Sequence, residues 1–314
     1  MLVAVLAALP GGRALALVRG VVLAPGVVID PGTATAYVAR PEGGLVAVDL
    51  VAGSQRWASE SAALPLGLVD GRLVALGESS DGALRVIGFD SGTGATIATT
   101  DASLPAGVRV HLADRPGSSF RAVLLAAGGG ALIAWQAESR DPSPLAPLRP
   151  ASGTDRRAQG QWSRRTGAFS LQGPQLALVP VAATVSPTFA DSRLEELAAE
   201  PPTGPDAPRT FLSADGAYRL RSGERVVETG PPRYDWTIAD ARGHVLGSLL
   251  ADIAAAPFVV VDDTVLWVRP ARAERIEGSW REFPRALLAY GLTSGAQIWE
   301  RAARDLIYRG PVPP

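Results

Sequence analysis

Residues 44–57 read Gly44-Leu45-Val46-Ala47-Val48-Asp49-Leu50-Val51-Ala52-Gly53-Ser54-Gln55-Arg56-Trp57. The alternation of the apolar run predicts a β-strand. Gly53 supplies the positive φ that turns the chain back into an antiparallel neighbour. Asp49, at the start of the turn, can accept hydrogen bonds from backbone amides two residues on. We therefore predict a strand, a tight turn and a second strand, on which Trp57 packs between stacked sheets.

This unit recurs along the chain. A second full copy runs from Arg285 to Trp299, and a third copy, Arg85–Gly94, has Ala98 in place of the tryptophan. Two weaker copies are Trp236–Val245 and Thr166–Gly173. The structural positions of the repeat are Asp49, Gly53, Trp57, Asp90, Gly94, Gly243, Gly295 and Trp299.

A second hairpin precedes the best copies, with turns at Pro31-Gly32, Asp70-Gly71 and Asp262-Asp263. Each repeat therefore holds four short strands, and 41 residues separate Gly53 from Gly94. Four antiparallel strands at this period are typical of a propeller blade. We predict an all-β chain, a β-propeller of four-stranded antiparallel blades. Five blades are recognisable, and the spacing is compatible with five to seven.

Later repeats are separated by more residues than the first two. The additional residues lie in polar, Pro-rich stretches at about 140–165, 186–209 and 271–284. We interpret these as loop insertions at the propeller rim; the alternative is that one long gap hides a degenerate sixth blade. The one short helix predicted is Asp191–Ala199. We expect the propeller to close between the N-terminal strand and the last blade.

Residues 1–16 combine an apolar run, a Pro-Gly-Gly break and Ala14-Leu15-Ala16, which are the later parts of a secretory signal. No arginine precedes Arg13, so the basic start of such a signal is missing. The alternatives are a misplaced start codon and an ordinary buried strand. We expect an exported chain, periplasmic or in the cell envelope, with residues 17–314 as one propeller domain; without a signal it would be cytoplasmic.

The composition excludes several kinds of chemistry. With no Cys, the chain has no disulfide, thiolate nucleophile or Cys-ligated metal, and with no Lys it has no Schiff-base site. All 30 basic residues are Arg, the formal net charge is −1, and no long basic run predicts nucleic-acid binding. No stretch is long and apolar enough for an integral membrane span.

At its repeats the chain resembles the quinoprotein-like (PQQ-like) β-propeller family. Residues 45–57 match the family repeat well, and residues 287–299 match it with Gly291 in place of the aspartate. The dehydrogenases of that family would imply a longer chain with eight blades, a vicinal Cys pair and an Asn calcium ligand, and this chain has neither Cys nor Asn. The resemblance therefore favours the non-enzymatic members, such as envelope assembly scaffolds, and no bound PQQ.

Candidate site residues are few. A structural role explains each of the other candidates. His111 is expected in a strand, and His244 follows a turn glycine. The pair Asp262-Asp263 is expected in a hairpin turn, and the pair Glu195-Glu196 on the solvated face of the predicted helix. The best candidate contact patch for a protein partner is the basic, aromatic group of Arg156, Arg157, Trp162, Arg164 and Arg165.

We predict no catalytic, cofactor-binding or metal-binding residue. The expected function is a monomeric binding or scaffolding module that engages a protein partner through its rim loops. The alternatives are a hydrolase or quinoprotein-type oxidoreductase with its site at the channel mouth, and a purely structural domain.

Overall fold

The computed structural model describes residues 18–62, 64–79, 83–106, 108, 110, 112, 118–127, 130–140, 162–181, 210–226, 233–251, 258–276 and 278–306. Within these ranges the chain forms strands and a single 3₁₀ turn, Pro31–Thr33, and no α-helix. The strands make five antiparallel sheets, which we call blades 1 to 5 in chain order, and one two-stranded ribbon.

Two short strands come first. Each of the five blades then takes four strands in chain order. The first two are β1 (Val18–Arg19) and β2 (Val21–Ala24). Blade 1 contains β3 (Val27–Asp30), β4 (Thr35–Ala39), β5 (Leu45–Asp49) and β6 (Gln55–Ser59). Blade 2 contains β7 (Leu64–Val69), β8 (Arg72–Gly77), β9 (Ala83–Asp90) and β10 (Thr96–Ser103).

The other three blades follow the same plan with different strand lengths. Blade 3 contains β11 (Ser118–Ala127), β12 (Gly130–Arg140), β13 (Trp162–Gln172) and β14 (Ala177–Val181). Blade 4 contains β15 (Thr210–Leu212), β16 (Tyr218–Val226), β17 (Arg233–Asp240) and β18 (Val245–Ala251). Blade 5 contains β19 (Phe258–Val261), β20 (Thr264–Arg269), β23 (Ala286–Gly291) and β24 (Gln297–Ala302), and the ribbon of β21 (Arg272–Ile276) and β22 (Ser279–Phe283) is inserted at its middle.

In blades 1, 2 and 5, burial falls from the first strand of the blade to the last. Every residue of β3, β4, β19, β20 and β23 is buried, whereas β24 has five exposed residues and β14 has four. A strand that is buried on both faces is continuously apolar, as in Phe258–Val261, because neighbouring sheets cover both of its sides. The first strands therefore lie at the centre of the assembly and the last strands at its rim.

Apolar clusters join the blades face to face. Blade 1 packs on blade 2 around Trp57 and Phe89, and blade 2 packs on blade 3 around Leu84 and Trp135. Blade 4 packs on blade 5 around Trp236 and Trp267, whose ring centroids lie 5.3 Å apart. A further cluster joins blade 5 to blade 1 through residues such as Leu266 and Val48. Because blade 5 packs on blade 1, the first and last repeats close on each other, and the predicted β-propeller of four-stranded blades is confirmed.

The N-terminal strands meet the last blade by packing and not by strand pairing, since Leu23 and Ala24 of β2 lie in the cluster that joins blade 5 to blade 1. Blade 5 draws all four of its strands from residues 258–302, so it lacks no strand for the N-terminus to supply. Instead β1 pairs with β7 of blade 2, β2 pairs with β3 of blade 1, and Gly20, with φ of 94°, stands between them. The first strands of blades 1 and 2 would otherwise expose an unpaired backbone edge.

The C-terminal residues complete the junction between the two ends of the chain. The Arg304 amide donates to the Ala39 carbonyl at 2.8 Å, and the Arg285 guanidinium donates to the Arg304 carbonyl at 2.8 Å. The Arg304 side chain lies 3.3 Å from the Glu78 carboxylate of blade 2. The segment after blade 5 therefore contacts both blades 1 and 2. The helix predicted at Asp191–Ala199 lies outside the described residues.

Candidate functional site

The repeat positions form the turns between the third and fourth strands of the blades. The Asp49 carboxylate accepts from the amides of Val51 and Ala52 at 3.0 and 2.9 Å, and Gly53 takes a φ of 63°. In blade 2, Asp90 accepts from the amides of Gly92 and Thr93 at 3.1 and 2.8 Å. The carboxylate thus satisfies backbone donors that the tight turn leaves without a strand partner.

These hydrogen bonds lower the pKa of the turn carboxyls below their usual range. For Asp49 the Ala52 amide is the main cause and the Arg56 guanidinium, 2.6 Å away, adds to it. For Asp90 the Thr93 amide is the main cause. Donors that bind the ionised form of a carboxyl always act in this direction. The turn aspartates are therefore structural anions that are held ionised.

Two tryptophans lock neighbouring blades together through these turns. The Trp57 indole Nε1 donates to the Ser91 carbonyl of blade 2 at 3.0 Å, and the Trp299 indole Nε1 donates to the Leu50 carbonyl of blade 1 at 2.9 Å. Each ring lies directly against the turn glycine of the next blade: a Cβ at Gly94 would be 2.5 Å from Trp57, and a Cβ at Gly53 would be 2.4 Å from Trp299. The glycine is thus needed for space as well as for its backbone conformation.

Blade 5 uses a different carboxylate at this turn. Gly291 occupies the place of the repeat aspartate, and the Asp263 carboxylate, from the turn between β19 and β20, accepts from the Thr293 amide at 3.1 Å and from its hydroxyl at 2.6 Å. Asp262 has a φ of 51° in the same hairpin turn. The pair Asp262-Asp263 therefore lies in a turn, where Asp263 takes over the role of the missing aspartate. Gly295 packs against the Ser248 carbonyl of blade 4.

His244 lies in the corresponding turn of blade 4, after Gly243. The Asp240 carboxylate accepts from the His244 amide at 2.9 Å and approaches its ring Nδ1 at 3.2 Å. This amide is the main cause of a lowered Asp240 pKa. The imidazole is exposed, and the contacts are those of a capped turn.

The structure describes three of the five residues of the predicted contact patch. Arg156 and Arg157, like His111, Glu195 and Glu196, lie outside the described residues. Trp162, Arg164 and Arg165 lie in β13, so the end of the expected loop at 140–165 is a strand. Arg164 binds the Glu138 carboxylate, with Nη2 and Oε1 2.8 Å apart, and Arg165 donates to the carbonyl of Ala106, which follows the last strand of blade 2.

Blade 3 is the longest of the five blades. β11, β12 and β13 have 10 or 11 residues, whereas strands of the other blades have at most nine, and pairing continues without a register shift from Ser118 to the end of the sheet. At the extended end the hydroxyls of Ser139 and Ser163 are 2.8 Å apart. Arg164 and Arg165 are therefore presented by paired strands, which hold their backbone in place.

The ribbon carries an exposed residue that the sequence analysis did not single out. The Trp280 side chain is 73% exposed, the highest value among the large hydrophobic residues described. At the base of the ribbon, the guanidiniums of Arg269 and Arg272 lie 5.8 and 5.2 Å from the Phe283 ring centroid. Arg269 also binds Glu300 of β24 at 2.5 Å. A tryptophan in a polar insertion gives no sequence signal of its exposure, because most tryptophans are largely buried.

The described ranges contain no group of three His, Asp or Glu side chains placed to hold a metal ion. In the same ranges, no helix is both long enough and apolar enough to span a membrane.

Sequence comparisons find no family model and no curated protein that matches the chain. Among solved structures, it is similar to a dihydro-heme d1 dehydrogenase NirN in complex with DHE, at 10% identity and a TM-score of 0.28, over 90% of this chain and 67% of that one. A europium-containing methanol dehydrogenase is matched at the same identity and TM-score, over 95% of this chain and 74% of that one. Likenesses at this level carry no information about activity.

Proposed function

We propose that the chain is a non-enzymatic, PQQ-like β-propeller that binds or scaffolds a protein partner in the bacterial cell envelope. One observation carries the proposal: the extended strands of blade 3 present exposed arginines on a paired, rigid support. Arg164 and Arg165 are each oriented by a hydrogen-bonded partner, and such pre-orientation lowers the entropy lost when a partner binds. Arginine is enriched in protein interfaces, because its planar head forms several hydrogen bonds at once.

The repeat supports the PQQ-like assignment. The aspartate, glycine and tryptophan of residues 45–57 resemble that family, and here Trp57 and Trp299 dock on the glycine turn of the following blade. These contacts build the scaffold and leave blade surfaces available for binding. We also propose that residues 1–16 direct export. Fractionation of a C-terminally tagged chain tests this, since a cytoplasmic product that retains Met1 would contradict it.

The binding proposal is tested by site-specific photo-crosslinking in envelope extracts with a crosslinker at position 163. We expect a discrete protein adduct that is lost in the Arg164→Glu/Arg165→Glu variant. The matched control is Arg85→Glu, because the Arg85 side chain is 39% exposed and is also paired with a carboxylate, Asp101 at 2.9 Å, but in blade 2. Equal adducts in all three proteins, or none in the parent, would contradict the proposal.

A further inference from the structure

β18 is the outer strand of blade 4, and its composition differs from that of the other four outer strands. Its seven residues, Val-Leu-Gly-Ser-Leu-Leu-Ala, include no charged residue and no proline. Charged residues and prolines on an edge strand oppose its pairing with another chain. Each of the other outer strands has such a residue: Arg56 in β6, Asp101 in β10, Pro180 in β14, and Glu300 and Arg301 in β24.

The outer edge of β18 has no strand partner in the part of the chain that the structure describes. β17 is the one strand there that pairs with β18. In an antiparallel edge strand, alternate residues direct their N–H and C=O groups away from the neighbouring strand. Gly247–Ala251 pair with β17 without a register shift, so the edge is regular over this length and can accept a further strand.

The side chains of β18 lie on two faces that differ in exposure. Leu249 and Ala251 are buried in the cluster that joins blade 4 to blade 5. Alternation along the strand places Ser248 and Leu250 on the opposite face, where Ser248 is exposed and Leu250 is 39% exposed. Leu246, at the bulge, is 41% exposed. A second apolar strand at this edge would remove part of this leucine surface from water.

The turn of blade 5 holds β18 in place from the side on which Leu249 is buried. Gly295 packs against the Ser248 carbonyl, and Gly247 packs against the Leu292 carbonyl. Gly247 stands four residues after the turn glycine, at the repeat position that Trp57 occupies in blade 1. Because β18 is already ordered by these contacts, little conformational entropy is lost when another strand pairs with it.

The order of residues in β18 is complementary to itself. If two copies run antiparallel with Ser248 at the centre, Leu246 of each copy stands opposite Leu250 of the other. Side chains that are directly opposite each other in an antiparallel pair are in contact and stabilise it. Two leucine pairs therefore flank a serine pair, and no charged residue or proline interrupts the ladder.

We infer that β18 pairs with β18 of a second copy of this chain, antiparallel and centred on Ser248. Blade 4 of each copy supplies four strands, so the two form one continuous sheet of eight strands. The contact uses the same surface on both copies, so it closes at a dimer and does not grow into a fibre. The inference revises the monomer expected from the sequence and does not depend on the proposed binding function.

Sedimentation velocity of the full chain between about 1 and 200 µM tests the inference. We expect a reversible monomer–dimer equilibrium with a dissociation constant in the micromolar range, because one strand edge is smaller than a standard interface. A chain that stays monomeric throughout, or one that continues to grow beyond the dimer, would overturn the inference.

Charge variants at the centre of the pair test its symmetry. Ser248→Lys and Ser248→Glu should each weaken the dimer about tenfold or more, because two like charges then stand directly opposite each other. An equimolar mixture of the two variants should restore the dimer, since each pair then joins lysine to glutamate. If neither variant weakens the dimer, or if the mixture does not restore it, Ser248 is not at the centre and the inference is wrong.

Thr99→Lys is the matched control. Thr99 lies in β10, five residues after the turn glycine of blade 2, as Ser248 does in blade 4, and it is also exposed. The dimer of this variant should dissociate within about twofold of the parent value, because the new charge lies on another blade. An effect as large as that of Ser248→Lys would mean that the charge acts through the whole molecule and not at the β18 edge. Circular dichroism of every variant checks that the strands remain folded.

Hydrogen exchange locates the contact independently of the variants. The amides of Val245–Ala251 should exchange more slowly at about 200 µM than at about 1 µM, whereas those of Thr96–Ser103 should exchange equally at both concentrations. Concentration-dependent protection in β10 but not in β18 would place the dimer contact on another blade and overturn the inference.

Discussion

At the residue scale, the turn glycines have two separable roles. Gly94 and Gly243 each end the turn between the third and fourth strands of a blade, with φ of 75° and 88°, but of the two only Gly94 has a tryptophan against it. A Cβ at Gly94 would lie 2.5 Å from the Trp57 ring, whereas a Cβ at Gly243 would meet nothing within 4 Å among the described residues. The pair therefore distinguishes backbone strain from steric exclusion.

We expect Gly94→Ala to lower the free energy of unfolding by about 2–4 kcal/mol, because it combines left-handed backbone strain with a clash in a packed interface. Gly243→Ala should cost only about 1 kcal/mol, since strain alone acts there. Urea denaturation of both variants measures the difference. Equal decreases in the free energy of unfolding of the two variants would show that the close contact between Gly94 and Trp57 does not contribute to the loss of stability.

The turn aspartates predict a pH dependence of stability. Their pKa values in the folded chain are lowered from 3.8, so they stabilise the fold above that pH, and the stabilisation is lost as the pH falls through the folded-state values. We expect the thermal midpoint to fall below about pH 4. Asp90→Asn should have a lower midpoint at neutral pH and a flatter acid limb. If the thermal midpoint of Asp90→Asn falls with pH as steeply as that of the parent chain, Asp90 is not a cause of the pH dependence.

The turn of blade 5 contains a contact that the sequence alone does not predict. The replacement of the repeat aspartate by Gly291 is visible in the sequence, but its compensation by Asp263 is not. Asp263 precedes Thr293 by 30 residues and reaches it because β20 pairs with β23. A turn motif that is local in one repeat is therefore completed by a neighbouring strand in another.

At the scale of elements, the contact between blades 1 and 2 depends on a tryptophan on the outer strand of blade 1. Trp57 is buried, and its ring lies 5.8 Å from that of Tyr37 and 6.0 Å from that of Phe89. This single side chain therefore links strands of two blades.

Trp57→Ala should lower the free energy of unfolding by about 3–5 kcal/mol, as expected for a large buried aromatic residue. Trp280→Ala removes the same atoms from the exposed ribbon and should change it by less than about 0.5 kcal/mol. Chemical denaturation followed by far-ultraviolet circular dichroism compares the two without dependence on tryptophan emission. A loss at Trp280 as large as that at Trp57 would show that the ribbon is part of the core.

Among the elements, apolar strands were predictable and polar ones were not. The hairpins of blades 1, 2 and 5 follow from runs such as Phe258–Val261, which are buried on both faces. β13 begins Trp162-Ser163-Arg164-Arg165, and the sequence predicts a loop at those residues. Because the extended end of blade 3 is solvated, its strands have no apolar alternation to reveal them.

At the scale of the whole molecule, the sequence predicted the propeller but not how its centre is filled. The sequence places residues 18–24 in the propeller domain and predicts closure between the N-terminal strand and the last blade, but it does not predict the strands with which these residues pair. Their pairing with the first strands of blades 1 and 2 depends on free edges created only by the assembled ring. The two partner strands belong to different blades, and the periodicity within one repeat cannot identify them.

Removal of residues 1–24 should lower the free energy of unfolding by about 3–5 kcal/mol, because it exposes two strand edges and the pocket of the buried Leu23. Removal of residues 1–17 leaves β1 and β2 in place and should have little effect. Thermal and urea unfolding of both truncated chains tests this. Equal stability of the two would mean that the central strands contribute nothing.

The bond between Trp299 and Leu50 joins residues that are 249 positions apart. During synthesis, blades 1 and 2 can pair with the N-terminal strands as soon as they emerge, whereas the Gly53 turn stays uncovered until blade 5 is complete. Ring closure is therefore a late and strongly non-local event, of the kind that slows folding. An incomplete nascent chain presents the uncovered side of blade 1 to its surroundings for almost the whole time of its production.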